Sequence, residues 1–350
     1  MSLVKKEEWW EETRNFKKTV KEEYLDINET LAELENNSSV IRLELNTIEL
    51  PLFSKDPKRI KNQIKIYHFK TDKSSYLEIE APANYSIPGE FEERVFIALT
   101  KIMKNNNYSR SFVVSANEIL ETLGLSNKAY YKRIREALTL LSKTNYTFLN
   151  SLYSNKESGI IEKKIMSNIM NITIISKKDS RAKEIEAFED GRIKEVYEIN
   201  FTDYFYENII RKGYLAFDSG KLLAIENSVS RAIYTIVEKW RGYDLYIKRQ
   251  AFFIARRIPL KWDKTQIKRT IDTMEKALIE LRNLNLIKDY KIIKEKKWEL
   301  AEIEITYEES HNKTKRDTFF TEKNEFNSMD MLVTSTEEKI KCISEDFQSG

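Results

Sequence analysis

The 350-residue chain is long enough for two ordinary domains, and its 41% hydrophobic content is typical of a globular protein. A single cysteine and two histidines exclude an intramolecular disulfide framework and the common zinc patterns, and they indicate a reducing, cytoplasmic location. No apolar run approaches the roughly 18 residues of a membrane helix, so we expect a soluble protein without a membrane partner.

The net charge of +3 is unevenly distributed along the chain. Residues 1–40 and residues 308–350 each contain 6 basic and 10 acidic side chains, whereas residues 41–307 contain 47 basic and 36 acidic ones, a net +11. A basic body between two acidic ends is typical of a protein that binds a polyanion. A lysine-rich surface without a ligand would give the same excess.

Residues 1–40 are predicted to form a helical arm. The segment 5–36 contains neither Gly nor Pro, and its apolar residues recur at spacings of 3, 4 and 7. They form one stripe: Trp9, Phe16, Val20, Ile27, Leu31 and Leu34. Such a stripe must be covered, and docking onto the body of the protein or onto a second chain explains it equally well.

Extended segments at 40–45, 63–69 and 76–80 follow the arm. From Gly89 the order of predicted elements becomes specific: a helix at 90–104, a strand at 111–115, a helix at 116–123 ending at Gly124, a longer helix to residue 143, and strands at 146–153 and 169–176. This is the element order of a winged helix-turn-helix. Residues 41–190 are therefore predicted to be a first winged-helix domain.

The same order returns further along the chain: a helix at 230–242, a strand at 245–247, a helix at 250–257, a long helix at 264–283 and strands at 286–291 and 300–307. Asp263 and Gln266 are spaced as a capping box for the long helix. The two long helices also align with a constant offset of 140 residues. The sequence thus predicts an α+β fold with tandem winged-helix domains at 41–190 and 191–307, followed by a disordered acidic tail at 308–350.

The long helix of the first predicted domain has a basic outer face. Ile134, Leu138 and Leu141 are spaced to face the core, and basic side chains lie about 200° away around the helix. Residues 126–144 contain five basic side chains and one acidic one. Such a face fits the DNA major groove. The candidate contacts are Lys128, Tyr131, Lys132, Arg133 and Arg135.

The stretch 248–269 is the strongest basic cluster of the chain, with eight basic residues against one acidic residue. Gln266 and Arg269 are suited to base edges, and Thr265 and Lys268 to phosphates. The other candidates are Lys248, Arg249, Arg256, Arg257, Lys261 and Lys264, with Lys294, Lys296 and Lys297 in the second wing loop and Lys156, Lys163 and Lys164 in the first. Exposed helix faces are often basic for solubility alone, but two faces at matching positions favour DNA contact.

The sequence contains no motif that indicates catalysis. Neither His68 nor His311 has a His, Cys or acidic ligand pattern beside it, and Gly220-Lys221 lacks the remaining residues of a phosphate-binding P-loop. Cys342 lies in a polar segment without a neighbouring base. We therefore expect no catalytic site, no metal and no cofactor.

The segment Ile48-Glu49-Leu50-Pro51-Leu52-Phe53-Ser54-Lys55, with Lys58-Arg59 and the helix at 92–99, resembles bacterial plasmid replication initiators, in particular replication initiator protein A. The resemblance covers about residues 45–307. It implies binding of double-stranded DNA at repeated origin sites, recruitment of host helicase or polymerase components, and a homodimer formed through the first domain. Two other interpretations remain open: a winged-helix transcription regulator, and a scaffold whose basic faces bind acidic proteins.

Overall fold

The computed structural model describes residues 39–189, 191–294 and 296–312. The predicted arm up to residue 38 and the predicted tail beyond residue 312 lie outside the described residues. The described chain forms several small antiparallel sheets and short helices around one large hydrophobic core. The mixed α and β composition agrees with the sequence prediction.

The described chain begins with β1 (Val40–Glu44) and α1 (Leu45–Glu49), followed by β2 (Ile64–His68) and β3 (Tyr76–Glu80). β2 and β3 belong to a four-stranded sheet that is completed further along the chain. Between them and β1, the segment 48–53 packs its apolar residues into the core. The stretch that carries the family resemblance is therefore mostly interior.

An ordered group of elements, here called the first repeat unit, extends from residue 90 to residue 201. It contains α2 (Glu90–Asn105), β4 (Ser111–Val114), α3 (Ala116–Thr122), α4 (Tyr130–Lys143), β9 (Met170–Ser176) and β10 (Glu195–Phe201). Its three strands form an antiparallel sheet in the order β4-β10-β9. The helices were predicted to within a few residues at each end.

Close packing at Gly89 sets the start of α2. The carboxylate of Glu92 accepts hydrogen bonds from the Gly89 backbone N–H and from Arg59 Nη1, each at 2.7 Å. A Cβ atom at position 89 would lie 2.8 Å from the Arg59 guanidinium, so a larger residue there would displace this side chain from its place beside Glu92. The helix start is thus fixed by a residue of the family-like segment.

Between α4 and β9 the chain inserts β5 (Asn145–Leu149), β6 (Tyr153–Ser154), β7 (Gly159–Ile160) and β8 (Lys164–Ser167). β5 and β8 join β2 and β3 in the order β2-β3-β5-β8. The strand predicted at 146–153 as part of the first wing therefore belongs to a different sheet, and the hairpin partner of β9 is β10. The domain boundary predicted at 190/191 falls inside this hairpin and would divide one sheet, because pairing of β9 with β10 joins residues on both sides of it.

Three elements connect the first repeat unit to the next one: α5 (Asp203–Ile210), β11 (Tyr214–Asp218) and α6 (Ser219–Ala224). β11 pairs antiparallel with β1, with Val40 opposite Asp218. The connection therefore packs against the beginning of the described chain and does not act as a loose linker.

The second repeat unit, residues 228–306, contains α7 (Ser228–Arg241), β12 (Tyr246–Gln250), α8 (Ala251–Arg257), α9 (Ile267–Asn283), β13 (Asp289–Ile293) and β14 (Glu302–Thr306). Its sheet has the order β12-β14-β13. In both units the first strand pairs with the last one, which in turn pairs with the middle one. The two units therefore share element order and strand topology.

The predicted 140-residue offset between the long helices is matched in the core. Ala137, Leu138 and Leu141 of α4 are buried, as are their counterparts Ala277, Leu278 and Leu281 of α9. The agreement ends after the helices, because Asn145 begins β5 whereas Asn285 adopts a positive φ of 53° after α9. The repeated positions are thus the ones that pack inward.

Buried ion pairs link the second repeat unit to α1 and to the first repeat unit. Glu49, which is 1% exposed, lies 2.7 Å from Lys239 Nζ and 3.3 Å from Arg257 Nη2. Glu93 of α2 lies 2.7 Å from Lys55 Nζ and 2.9 Å from Arg231 Nη1 of α7. Because these charges are removed from water, loss of one partner would weaken the compensation of the charges that remain.

Candidate nucleic-acid interface

The exposed face of α4 carries the predicted basic side chains of the first repeat unit. Ile134, Leu138 and Leu141 are buried, as predicted from their spacing. Four of the five candidate contacts are exposed, and Tyr131 is half-buried. The four exposed residues are Lys128, Lys132, Arg133 and Arg135.

Three candidates on this face are held by neighbouring side chains. The hydroxyl of Tyr131 donates to Asn117 Oδ1 of α3 at 2.8 Å, and the guanidinium of Arg133 lies 4.1 Å from the centre of the Phe91 ring. Arg135 forms an ion pair with Glu195 of β10. The face is therefore partly ordered before any ligand binds, with Lys128 and Lys132 beside the held residues.

The loop that joins β9 to β10 adds basic residues that the sequence analysis missed. It folds over a small core that includes Ile175, Phe188 and Val196. Around this core six basic side chains are exposed: Lys177, Lys178, Arg181, Lys183, Arg192 and Lys194. The basic residues at 177–183 are visible in the sequence, but they could not be assigned to a hairpin loop because β10 was not predicted.

In the second repeat unit the basic cluster lies at α8, at the turn after it and at the start of α9. Arg256, Lys261, Lys264, Lys268 and Arg269 are exposed. On α9 the predicted inward residues Ile267, Ile271, Met274, Leu278 and Leu281 are all buried. The outward face therefore has the composition expected from the sequence.

The start of α9 differs from the predicted capping box. Asp263 Oδ1 accepts hydrogen bonds from the backbone N–H and the hydroxyl of Thr265, at 2.8 and 2.6 Å, and α9 begins only at Ile267. Gln266 is the N-cap residue, and its side chain makes no capping hydrogen bond. The Gln266 amide is thus exposed at the helix N-terminus, while the Thr265 hydroxyl already binds a carboxylate.

Two predicted contacts of this cluster are engaged elsewhere. Arg257 has an 11% exposed side chain and pairs with Glu49, so it belongs to the link between the units and not to the outer face. Lys248 lies 2.7 Å from Glu302 and 3.5 Å from Glu304, which partly neutralise it. Arg249, its neighbour in β12, is exposed.

The lysines predicted in the second wing lie between β13 and β14. Lys294, Lys296 and Lys297 are exposed, and Lys294 Nζ lies 4.7 Å from the centre of the Trp298 ring. The lysines predicted in the first wing are placed differently. Lys156, Lys163 and Lys164 lie in or beside β7 and β8, outside the β9–β10 hairpin.

Comparison with known proteins places the chain in a family. The family model of replication initiator protein A matches residues 42–247, which is more than half of the chain. The chain belongs to this family. DNA binding in replication is therefore its functional class, and the matched region contains the first repeat unit, the connection and α7. No curated protein matches the chain.

A solved structure supports the fold of this replication initiator. Domains 2 and 3 of RctB are similar with a TM-score of 0.51 and 14% identity, over 75% of this chain and 98% of the RctB chain. A second RctB structure covers 73% of this chain and 94% of its own, with 14% identity and a TM-score of 0.46. The Pi initiator protein in complex with iteron DNA covers 62% and 90%, with 14% identity and a TM-score of 0.41.

The part of the initiator that the structure describes has neither a metal-ligand cluster nor a membrane-spanning helix. Residues 39–189, 191–294 and 296–312 contain no group of three or more His, Cys, Asp or Glu side chains that could hold a metal ion. In the same residues no helix combines the length and the apolarity needed to cross a bilayer. In the described residues, the basic faces of the two repeat units present cationic side chains suited to a polyanion.

Proposed function

We propose that the two repeat units are winged helices that bind double-stranded DNA at repeated sites of a plasmid replication origin. The observation that carries this proposal is the repetition: both units have the same strand topology, and each exposes basic residues on its long helix. In winged-helix proteins such a helix enters the major groove, while the hairpin contacts the adjacent backbone. The membership in the initiator family supplies the biological setting.

The proposed DNA contacts are of two kinds: some side chains contact phosphates and position the protein, and others contact base edges and recognise the sequence. Lys128 and Lys132 in the first unit, and Lys261 and Lys268 in the second, are exposed cations suited to phosphate contacts. Gln266 and Arg269 lie at the start of α9, where side chains can form bidentate hydrogen bonds to base edges. The lysines of both hairpins would contact the flanking backbone.

The link between the units affects how DNA is bound. Because buried ion pairs join α1 and α2 to α7 and α8, the two long helices are held at one relative orientation. Two DNA-binding helices that are joined rigidly can bind together only when their two half-sites are separated by one particular number of base pairs. We therefore expect an origin repeat that spans both units and loses affinity when a few base pairs are inserted within it.

The test compares binding to the DNA that flanks the gene with binding to random DNA, at two salt concentrations. We expect a preference of about a thousandfold for repeats in the flanking DNA. The variant Lys128→Ala/Lys132→Ala should lower the slope of log affinity against log salt by up to about two. The control Lys163→Ala/Lys164→Ala removes the same charge from exposed positions outside the proposed surface and should leave the slope unchanged.

Weak and equal binding to both DNAs that disappears in salt would reject sequence-specific recognition. A protein-interaction scaffold would then be the better interpretation. Recruitment of host helicase or polymerase components, and a homodimer formed through the first unit, are further parts of the proposal. Co-purification with host replication proteins and sedimentation of the full chain would test each of them.

A further inference from the structure

A cleft of about 420 Å³ lies between β2 and the second repeat unit, beside the basic cluster of that unit. β2 forms one wall, and α7, α8 and the turn after α8 form the other. Its apolar lining includes Tyr67, Phe69, Trp240, Phe253 and Leu260. A cleft of this size and apolarity suits two or three side chains of a bound peptide.

The wall formed by β2 has the geometry of a peptide-binding edge. β2 is the outermost strand in the sheet order β2-β3-β5-β8, and its residues 66–68 line the cleft together with Phe69. The backbone of an outer strand presents N–H and C=O groups that an extended peptide can pair with. Alternate side chains of that peptide would then point into the cleft.

The rim of the cleft is positively charged. Arg256 and Lys261 line it and are exposed, and Lys65 lies close enough to Lys261 for the two charges to interact. Burial lowers the pKa of Lys65; the Asp56 carboxylate opposes this shift, whereas the charge of Lys261 adds to it. A positively charged rim around an apolar cleft favours an occupant that carries both apolar and acidic side chains.

The chain itself contains a segment with this chemistry. Residues 317–350 carry eight acidic and three basic side chains, and they include Met329-Asp330-Met331-Leu332-Val333 with Glu337 and Glu338 shortly after. Val333, Thr334 and Thr336 are β-branched residues of the kind that is enriched in strands. The segment therefore combines apolar anchors, strand propensity and negative charge.

The end of the described chain packs against α7, the helix that forms part of one wall of the cleft. Asn312 Oδ1 accepts a hydrogen bond from Arg241 Nη1 at 2.8 Å, and Arg241 follows Trp240, which lines the cleft. The 16 residues from 313 to 328 can span up to roughly 50 Å when extended. The segment 329–338 is thus within reach of β2 in the same molecule.

We propose that residues 329–338 dock in this cleft by pairing with the outer edge of β2. Their apolar side chains enter the cleft, and Glu337 and Glu338 approach Arg256 and Lys261. Because these two cations also belong to the proposed DNA surface, the docked segment covers part of that surface and competes with DNA. This last consequence rests on the proposed function, whereas the docking itself does not.

The experiment uses the full chain and needs no DNA. In a Cys342→Ser background, Leu332→Cys is labelled with a photoreactive benzophenone, and the cross-linked residues are identified by mass spectrometry. We expect cross-links to residues 66–69 and 253–261 of the same molecule. The cleft variant Leu260→Asp should reduce them at least about fivefold, because a carboxylate there disfavours both the apolar contact and the acidic segment. Ile279→Asp, at an exposed site of α9 outside the cleft, should leave them unchanged.

Three outcomes would overturn the proposal. The first is the absence of cross-links to the cleft. The second is cross-linking mainly between labelled and tagged unlabelled molecules, which would identify a second copy as the occupant. The third is an unchanged yield of these cross-links in Leu260→Asp, which would place the labelled segment outside the cleft. Because the cross-link is measured without DNA, its failure is distinguishable from the failure of sequence-specific binding.

Discussion

The Glu93 carboxylate and the Arg231 guanidinium, 2.9 Å apart, join the first helix of one repeat unit to the first helix of the other. Arg231 is 1% exposed and also donates to the Ile225 carbonyl at 2.6 Å. Glu49 provides a second link, to Lys239 and Arg257. Glu49 and Lys55 lie in the segment that resembles replication initiators, so that segment acts as a connector between the units.

We expect Glu49→Gln to destabilise the protein strongly. Removing this carboxylate takes away the buried negative charge that lies 2.7 Å from Lys239 Nζ and 3.3 Å from Arg257 Nη2. The expected loss in the free energy of unfolding is about 3–5 kcal/mol, measured by urea denaturation. Asp289→Asn breaks the exposed Arg282–Asp289 pair and should cost less than about 1 kcal/mol. Equal effects of the two substitutions would show that burial of the ion pairs is not decisive.

The adjacent residues Arg256 and Arg257 should respond differently to alanine. Arg256 is exposed, so Arg256→Ala should reduce the salt slope of DNA binding by about one and leave the unfolding free energy nearly unchanged. Arg257→Ala should lower the unfolding free energy by about 1–3 kcal/mol, because Glu49 loses one of its two cations. Identical behaviour of the two variants in both measurements would contradict the assignment.

Gln266 is expected to contribute to sequence recognition. Gln266→Ala should narrow the free-energy difference between specific and random DNA by roughly 1–3 kcal/mol, since its amide can form two hydrogen bonds to adenine. Lys268→Ala is the matched control at an exposed position two residues away. It should weaken binding to both DNAs equally and lower the salt slope. If Gln266→Ala instead weakened binding to specific and random DNA equally, Gln266 would position the protein on the DNA and would not recognise its sequence.

The spacing of apolar residues correctly predicted which faces of the long helices are buried, because this property depends only on residues near one another in the sequence. The inward residues of α4 and α9 are buried because a helical stripe needs no information beyond the helix. The pairing of β9 with β10 was missed because the strands are separated by a loop with its own small core, whereas the nearer β5 pairs with β3. Hydrophobic alternation gives a strand's faces but not its partner.

The site residues show the same limit. Arg256 and Arg257 are indistinguishable in a charge count, and only the fold brings Glu49, more than 200 residues earlier, beside the second of them. Asp263 was predicted to cap the long helix, but Thr265 is close enough to take its carboxylate. Hydrogen bonds between neighbouring side chains, and ion pairs with residues far away in the sequence, thus determine which residues of a basic cluster are exposed.

Glu44 gives the fold a pH dependence that can be measured. Its carboxylate is fully buried and accepts hydrogen bonds from Asn46 Nδ2 at 2.7 Å and Asn208 Nδ2 at 2.6 Å. Burial raises the pKa of Glu44 from 4.5 to about 7, although these hydrogen bonds and the one from the Thr47 backbone N–H act to lower it. In the native protein this carboxyl therefore keeps its proton at pH values where the unfolded chain has released it.

The direction of the effect follows from proton linkage. Because the native state binds the proton more tightly, its contribution to stability is complete below about pH 4.5 and is lost as the pH rises to about 7. The difference in pKa corresponds to about 3 kcal/mol. Glu44→Gln is neutral at every pH, so subtracting its unfolding free energy from that of the unmodified protein removes the contribution of the other titrating groups. Urea denaturation at pH 5 and pH 8 should show the unmodified protein losing about 2–3 kcal/mol relative to Glu44→Gln. A difference that is constant with pH would show that the carboxyl has an ordinary pKa, and a gain at pH 8 would show that the hydrogen bonds outweigh burial.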